Sequence, residues 1–178
     1  HLRSSIIGDS IVRLMKFMGH EVKGDIHLGD WGTQMGMLIY ELSNLQPDLP
    51  YFDETKKDGF PEESPVTIED LQEIYPRISA RCKDNEGDMR ASQQATVELQ
   101  QGRPGYRALW QHFVDVSVEE MKADFHQLGI DFDYWFGESH YHDKIPGMVE
   151  ELKKSGVAGE DAGALVIHVA EDEDKKPM

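Results

Sequence analysis

Residues 17–39, FMGHEVKGDIHLGDWGTQMGMLI, decide how this chain is read. Within them HEVKGDIHL, residues 20–28, alternates weakly between apolar and polar side chains, as a short half-buried strand does, and runs into a turn at Gly29. Upstream, Ile7, Ile11, Leu14 and Met18 recur at helical spacing with Arg13 and Lys16 between them. That pattern predicts an amphipathic helix, stopped by Gly19. Downstream, Thr33 stands where a hydroxyl can cap a second helix running through about Leu42. A strand between two helices favours an α/β layer with a parallel strand, because helical crossovers cover both faces of such a sheet.

Working outward, the composition changes after this unit. Pro47, Pro50, Pro61 and Pro65, with Gly59 and the acids Asp53, Glu54, Glu62 and Glu63, predict a solvated linker. Thr67 followed by Asp70 reads as a helix start, and residues 68–101 are helical in tone with breaks expected near Pro76 and Asn85. Leu109, Phe113, Val116, Met121, Phe125 and Leu128 form an apolar stripe that ends before Gly129, the plainest helix in the chain. A second α/β segment is expected from DFDYWF as a strand, a helix over residues 143–155 stopped by Gly156, and ALVIHVA from Ala164 as another strand. The tail from Glu171, EDEDKKPM, is too polar to be core. The expected division is 1–46 as the first part of a catalytic core, 47–66 as an acidic Pro-rich linker, 67–105 as a helical insertion, and 106–178 as a helix plus the second α/β segment.

The chain has 178 residues, 39% of them hydrophobic, enough to bury a core. Its 34 acidic against 18 basic residues give a formal charge of -16, and that field repels nucleic acid and anionic membranes, so any RNA contact must be local. DNA is not an expected partner. The single cysteine, Cys82, excludes an internal disulfide and a multi-thiolate metal site, which fits a reducing cytosol. No apolar run has membrane-spanning length, and HLRSSIIGD at the start lacks the order of a signal peptide. A cytoplasmic protein is expected.

Chemistry begins at the amino end. His1, Arg3, Ser4 and Ser5 sit at the opening of the first helix, where free backbone N–H groups and the positive end of the helix dipole attract anions. A histidine there can donate to a phosphoryl oxygen whose charge grows during displacement, while hydroxyls and an arginine steady the surroundings. Serine at a helix start is more often only a cap, so this signal is weak alone.

The wider sequence adds context. HLRSSIIGD at 1–9, FMGHEV at 17–22, HLGDWGTQMGMLI at 27–39, LWQHFVDVSVEEMKADFHQLGIDFD at 109–133 and GESHYHDKIPGMVEELKKSG at 137–156 together resemble the arginyl-tRNA synthetase family. In that family the ATP-binding signature reads His-Val-Gly-His-Leu-Arg-Ser, of which the second half stands here, followed by a Gly-Asp-Trp-Gly-Thr-Gln block. The resemblance is weakest between Pro47 and Gly105. It implies a partial Rossmann-type parallel sheet of the class I synthetase, HUP-like kind with an inserted helical connective segment.

The implied activity is ATP-dependent conversion of arginine to arginyl-adenylate and its transfer to tRNA(Arg), with Mg as the counter-ion of ATP and no protein-bound metal. On the same resemblance His1 is the catalytic residue, and His1, Arg3 and Ser4 bind ATP. His1 also lies against arginine. Gly29, Asp30, Trp31, Gly32, Thr33 and Gln34 are expected to line the arginine or adenosine pocket, since ligand crevices of doubly wound sheets form beyond the carboxyl ends of strands. Glu138, Ser139 and Tyr141 match a further family stretch, and Ser139 and Tyr141 join the pocket set; for Ser139 a simple helix cap competes.

Other features take plainer readings. His140 and His142 flank Tyr141 in an arrangement that binds zinc only when further ligands arrive, and none stands at suitable spacing. Glu119–Glu120 and Glu150–Glu151 are solvated helix faces, Cys82 a small buried residue, and the eight methionines mainly core filling. Because the first signature histidine, the strand before it and the KMSKS-type loop are not in the sequence, the chain alone is expected not to charge tRNA. Exposed sheet edges predict self-association. The alternative is a catalytically dead nucleotide-binding or protein-interaction module.

Overall fold

The structure, a computed structural model, describes residues 2–161 and 164–167. It divides into two compact units, one through Glu138 and one from Ser139 onward.

In the first unit the element order is helix α1 (Leu2–Phe17), strand β1 (Asp25–Leu28), helices α2 (Thr33–Leu45), α3 (Ile68–Asp84), α4 (Glu86–Gln100) and α5 (Pro104–Gln127), then strand β2 (Tyr134–Gly137). β1 and β2 pair in parallel, with Asp25 opposite Tyr134 and Leu28 opposite Gly137. A parallel pair cannot be closed by a hairpin, so the four helices α2 to α5 form the crossover between the strands. The register is pinned where both strands begin. Asp133 Oδ2 accepts the Gly24 backbone N–H at 2.8 Å, with Lys16 and Lys23 at 4.0 and 3.8 Å from its carboxylate. The Gly24 N–H, and then the two lysines, hold the Asp133 carboxyl below the usual carboxylate range.

The core lies among the helices. Ile39 and Leu42 of α2, Leu71 and Ile74 of α3, Leu99 of α4, and Leu109 and Phe113 of α5 are buried together. α2 and α4 approach so closely that a Cβ on Gly36 would strike Ser92 O and Thr96. At the polar edge of this layer Glu41, 2% exposed, accepts from Arg77 Nε at 3.1 Å and Arg81 Nη1 at 2.7 Å. Arg81 also donates to Asp88, which the Tyr40 hydroxyl reaches at 3.0 Å. The Arg81 bond, then that from Tyr40, keeps the Asp88 carboxyl below its ordinary range, and burial opposes them.

Local signals explain most helix ends. At α3, Thr67 and Asp70 exchange a capping box, each side chain accepting from the other's backbone N–H. α1 gives way to Gly19 at φ +89°, a left-handed position that glycine takes without a Cβ penalty. Three expectations are corrected. Pro76 does not break α3; it sits on the exposed side of the helix, beside exposed Gln72. Thr33 is not the cap of α2, whose N-cap is Gly32 without a side-chain bond. The stretch 47–66 forms no long element and exposes Asp53, Glu54, Glu62 and Glu63, yet it is not solvated throughout: Tyr51 is 1% exposed, Val66 is buried, and Leu49, Phe52 and Phe60 lie against the core. Tyr51 and Phe52 meet α5 directly, through His112 and Tyr106, and a Cβ on Gly105 would strike the Tyr51 backbone.

The second unit holds a 3₁₀ helix running from Glu138 to Lys144, helix α6 (Ile145–Lys154) and an antiparallel pair, β3 (Gly159–Asp161) with β4 (Ala164–Val166). The strand expected from Ala164 is therefore present as β4; residues 168–170 of that expectation, and the tail from Glu171, lie outside the described residues. His140 and His142 stand on the 3₁₀ helix, not on a strand. Among the described residues no helix is long and apolar enough to cross a membrane.

Candidate functional site

Beyond the carboxyl end of β1 the chain turns at Gly29 and Asp30 before entering α2 at Thr33. Parallel strands that end side by side leave their last residues facing a common crevice. Here the Asp30 carboxylate lies over the end of β2, close enough that a Cβ on Gly137 would collide with it. A side chain at 137 would have to displace the Asp30 carboxylate, and two sequence blocks more than a hundred residues apart meet at one point.

A cavity of ≈ 850 Å³ opens beside this turn. From α1 it is lined by Leu2, Ser4, Ser5 and Gly8, and from β1 and its turn by the chain from Asp25 to Asp30. The face of α5 completes it with Phe113, Val114, Ser117, Val118 and Met121 among others. The opening of α1 therefore faces the same cavity as the Gly29–Asp30 turn. Ser4 and Ser5 bring hydroxyl groups to this wall, the kind of group that can donate to an oxyanion. The apolar α5 wall excludes water from one side, which strengthens polar contacts made on the other.

The expected site residues do not all stand in this lining. Ser4, Gly29 and Asp30 do; Arg3, exposed on α1, does not, and neither do Gly32, Thr33 and Gln34. Trp31 is 5% exposed and belongs to the core, its ring edge-on to that of Trp110 at 5.1 Å between centroids. Ser139 and Tyr141 belong to the second unit, on its 3₁₀ helix, where the Tyr141 ring has the Lys144 ammonium 5.1 Å from its centroid. His1 lies outside the described residues.

Other residues touch the turn that sequence reading passed over. Trp110 Nε1 donates to the Asp30 carbonyl at 2.7 Å, and Gln100 Nε2 donates to the Trp31 carbonyl at 2.9 Å. The Arg107 guanidinium stands over the Trp31 ring, 4.4 Å from its centroid. A signal existed for Trp110: it falls just off the Leu109–Phe113 stripe, and a half-buried indole N–H needs an acceptor. Cys82 is buried against Ser92 Oγ at 3.5 Å, the structural role expected of it. Among the described residues no group of three or more His, Cys, Asp or Glu side chains is arranged to hold a metal ion.

Comparison with known proteins gives one consistent result. The description tRNA synthetases class I (R), catalytic domain, matches over residues 1–178. The arginine–tRNA ligase of Maricaulis maris is 56% identical over all of this chain, and that of Hyphomonas neptunium is 50% identical over the same span. This chain covers 30% of the length of each of those relatives. The crystal structure of arginyl-tRNA synthetase from Plasmodium falciparum superposes with a TM-score of 0.75 at 28% identity, covering 99% of this chain and 27% of that one.

Proposed function

The chain belongs to the family of class I tRNA synthetase (R) catalytic domains, and from that premise we propose that it is the part of an arginine–tRNA ligase that holds ATP and arginine for adenylate formation. The observation that carries the reading is the convergence of the α1 opening and the Gly29–Asp30 turn on one cavity.

In the proposed reaction a carboxylate oxygen of arginine attacks the α-phosphorus of ATP. A new P–O bond forms, the bond to the β-phosphate breaks, and Mg-bound pyrophosphate leaves. A hydroxyl of the terminal adenosine of tRNA(Arg) then attacks the activated carbonyl, giving the aminoacyl ester and AMP. Neither step needs a covalent nucleophile from the protein. Alignment and neutralisation of growing charge suffice, so the working parts are donors and exposed amides.

His1 is the catalytic residue of the proposal, donating to the α-phosphoryl oxygen as charge builds there while also lying against the arginine substrate. Arg3 and Ser4 bind ATP, with the first-turn N–H groups of α1 behind them. Gly29, with no side chain, lets a ligand approach the main chain closely, and Asp30 presents a carboxylate suited to a cationic or hydroxyl-bearing substrate group. Gly32, Thr33 and Gln34, together with the Trp31 main chain, shape the entry to α2. Residues 67–105 serve as the connective insertion. The working protein is cytoplasmic, its partners are arginine, ATP and tRNA(Arg), and the segment by itself is inactive and prone to self-association.

The test is arginine-dependent ATP–pyrophosphate exchange with tRNA(Arg) present, run on the complete protein carrying this segment and on residues 1–178 alone. Exchange by the complete protein, abolished by His1→Ala and absent from the segment, is the expected result. No arginine dependence in the complete protein would remove the reading.

A further inference from the structure

The turn after β1 is held from behind. Its residues lie outside both strand and helix, so no regular element sets the direction of its carbonyls. Instead, each accepts a bond from a side chain far away in sequence: Trp110 on α5 at 2.7 Å and Gln100 at the end of α4 at 2.9 Å. The rings reinforce the arrangement. Trp31 meets Trp110 at an interplanar angle of 75°, and Arg107 covers the Trp31 face. On the opposite side the Asp30 carboxylate rests over Gly137 of β2. Asp30 is thus held at its carbonyl by α5, while its carboxylate lies close over the last residue of β2.

Neither Trp110 nor Gln100 is among the residues lining the cavity, whereas Gly29 and Asp30 are. We propose that Trp110 and Gln100 are positioning residues of the ligase reaction: through the Asp30 and Trp31 carbonyls they set the orientation of the Gly29–Asp30 main chain against the bound substrates. The inference rests on the reading of that turn as part of the substrate site. It also gives the connective insertion a share in activation through Gln100 of α4, while Trp110 of α5 acts from the core. Substrate alignment is sensitive to such supports, because a displacement of about 1 Å at reacting atoms costs on the order of 100-fold in rate.

The experiment uses the complete ligase. Trp110→Phe keeps the ring and removes the N–H, and Gln100→Glu keeps the length and replaces the donor with an acceptor. Steady-state exchange and aminoacylation are measured well below each variant's melting temperature. Each substitution is expected to lower kcat/KM for arginine by about 10-fold or more while KM for tRNA stays at the parent value. The double variant should lose less than the product of the two, since both donors hold one turn. Variants that melt earlier but keep the parent kcat/KM for arginine and ATP would overturn the proposal, leaving the two residues as packing. Should Trp110→Phe fail to fold, the Gln100→Glu arm decides. Asp30→Ala separates the two readings. If it impairs the reaction and the other variants do not, positioning fails and the substrate-site reading stands; if it too is without effect, both fall.

Discussion

Helices α1 and α2 read alike in sequence and end differently in space. α2 buries Gly36, Met37, Leu38, Ile39, Glu41 and Leu42, while α1 buries nothing, leaving Leu2, Ile6, Ile7, Ile11 and Leu14 between 45% and 57% exposed and Phe17 at 89%. The pattern that makes a helix amphipathic says only that one face wants cover. Whether it is covered depends on neighbours. α2 lies against α3, α4 and α5, and its Gly36 lets α4 come within backbone contact. The contacts described for α1 include polar ones at its far end, with Arg13 donating to the Gly129 carbonyl and Lys16 near Asp133. Among the described residues, the buried helical side chains of the first unit therefore lie in α2 to α5, while α1 lends Ser4 and Ser5 to the cavity wall from a helix with no buried side chain.

That contrast can be broken most directly at Leu99, which is fully buried in the helical layer. Leu99→Ala removes a branched side chain from a closed core and should cost roughly 2–5 kcal/mol, read from the urea unfolding midpoint. A loss under about 1 kcal/mol would mean the layer relaxes around the cavity and is not the seat of stability.

The acid limb comes next. Asp88 is held below its ordinary range chiefly by Arg81, so its native value lies below the unfolded one near 3.9. The unfolded chain then binds more protons as the pH falls, and the stability due to Asp88 is fully present above about pH 4 and is lost on descending through the lowered native value. Asp88→Asn should flatten the fall of the urea midpoint below pH 4, and an unchanged slope would show that the Arg81–Asp88 pair is not linked to folding.

The smallest effect is expected at Leu14, 57% exposed on α1. Leu14→Ala should shift stability by no more than about 0.5 kcal/mol in residues 1–178. A loss comparable to that at Leu99 would sharpen the comparison by revealing that α1 packs on something, for instance a second copy, and sedimentation at two concentrations would distinguish that case.

The predicted elements map onto the structure wherever local chemistry was strong. Thr67 with Asp70, the stripe from Leu109 to Phe113, and the glycines at 19 and 129 each gave an element or its end. Pro76 misled because its cost depends on which side of the helix it occupies, and the 47–66 stretch misled because scattered apolar residues carry no period. For the candidate site, the sequence offered Ser4, Gly29 and Asp30, which do line the cavity. Trp31 shows the limit of such reading, since the same indole could have faced a ligand or the core, and Trp110 with Arg107 draws it into the core.

By itself the sequence determined that helix, strand and helix would alternate, that the strand would be of the parallel kind, and that the chain resembles one synthetase family, because caps, periodicity and motif order are properties of neighbours along the chain. Only the tertiary structure decided that the Asp30 carboxylate lies over Gly137 and that Gln100 and Trp110 bond the turn. Those contacts join residues separated by 107, 69 and 80 positions, and no local preference encodes them. They exist because four helices between two paired strands bring distant side chains to the same few ångströms of backbone.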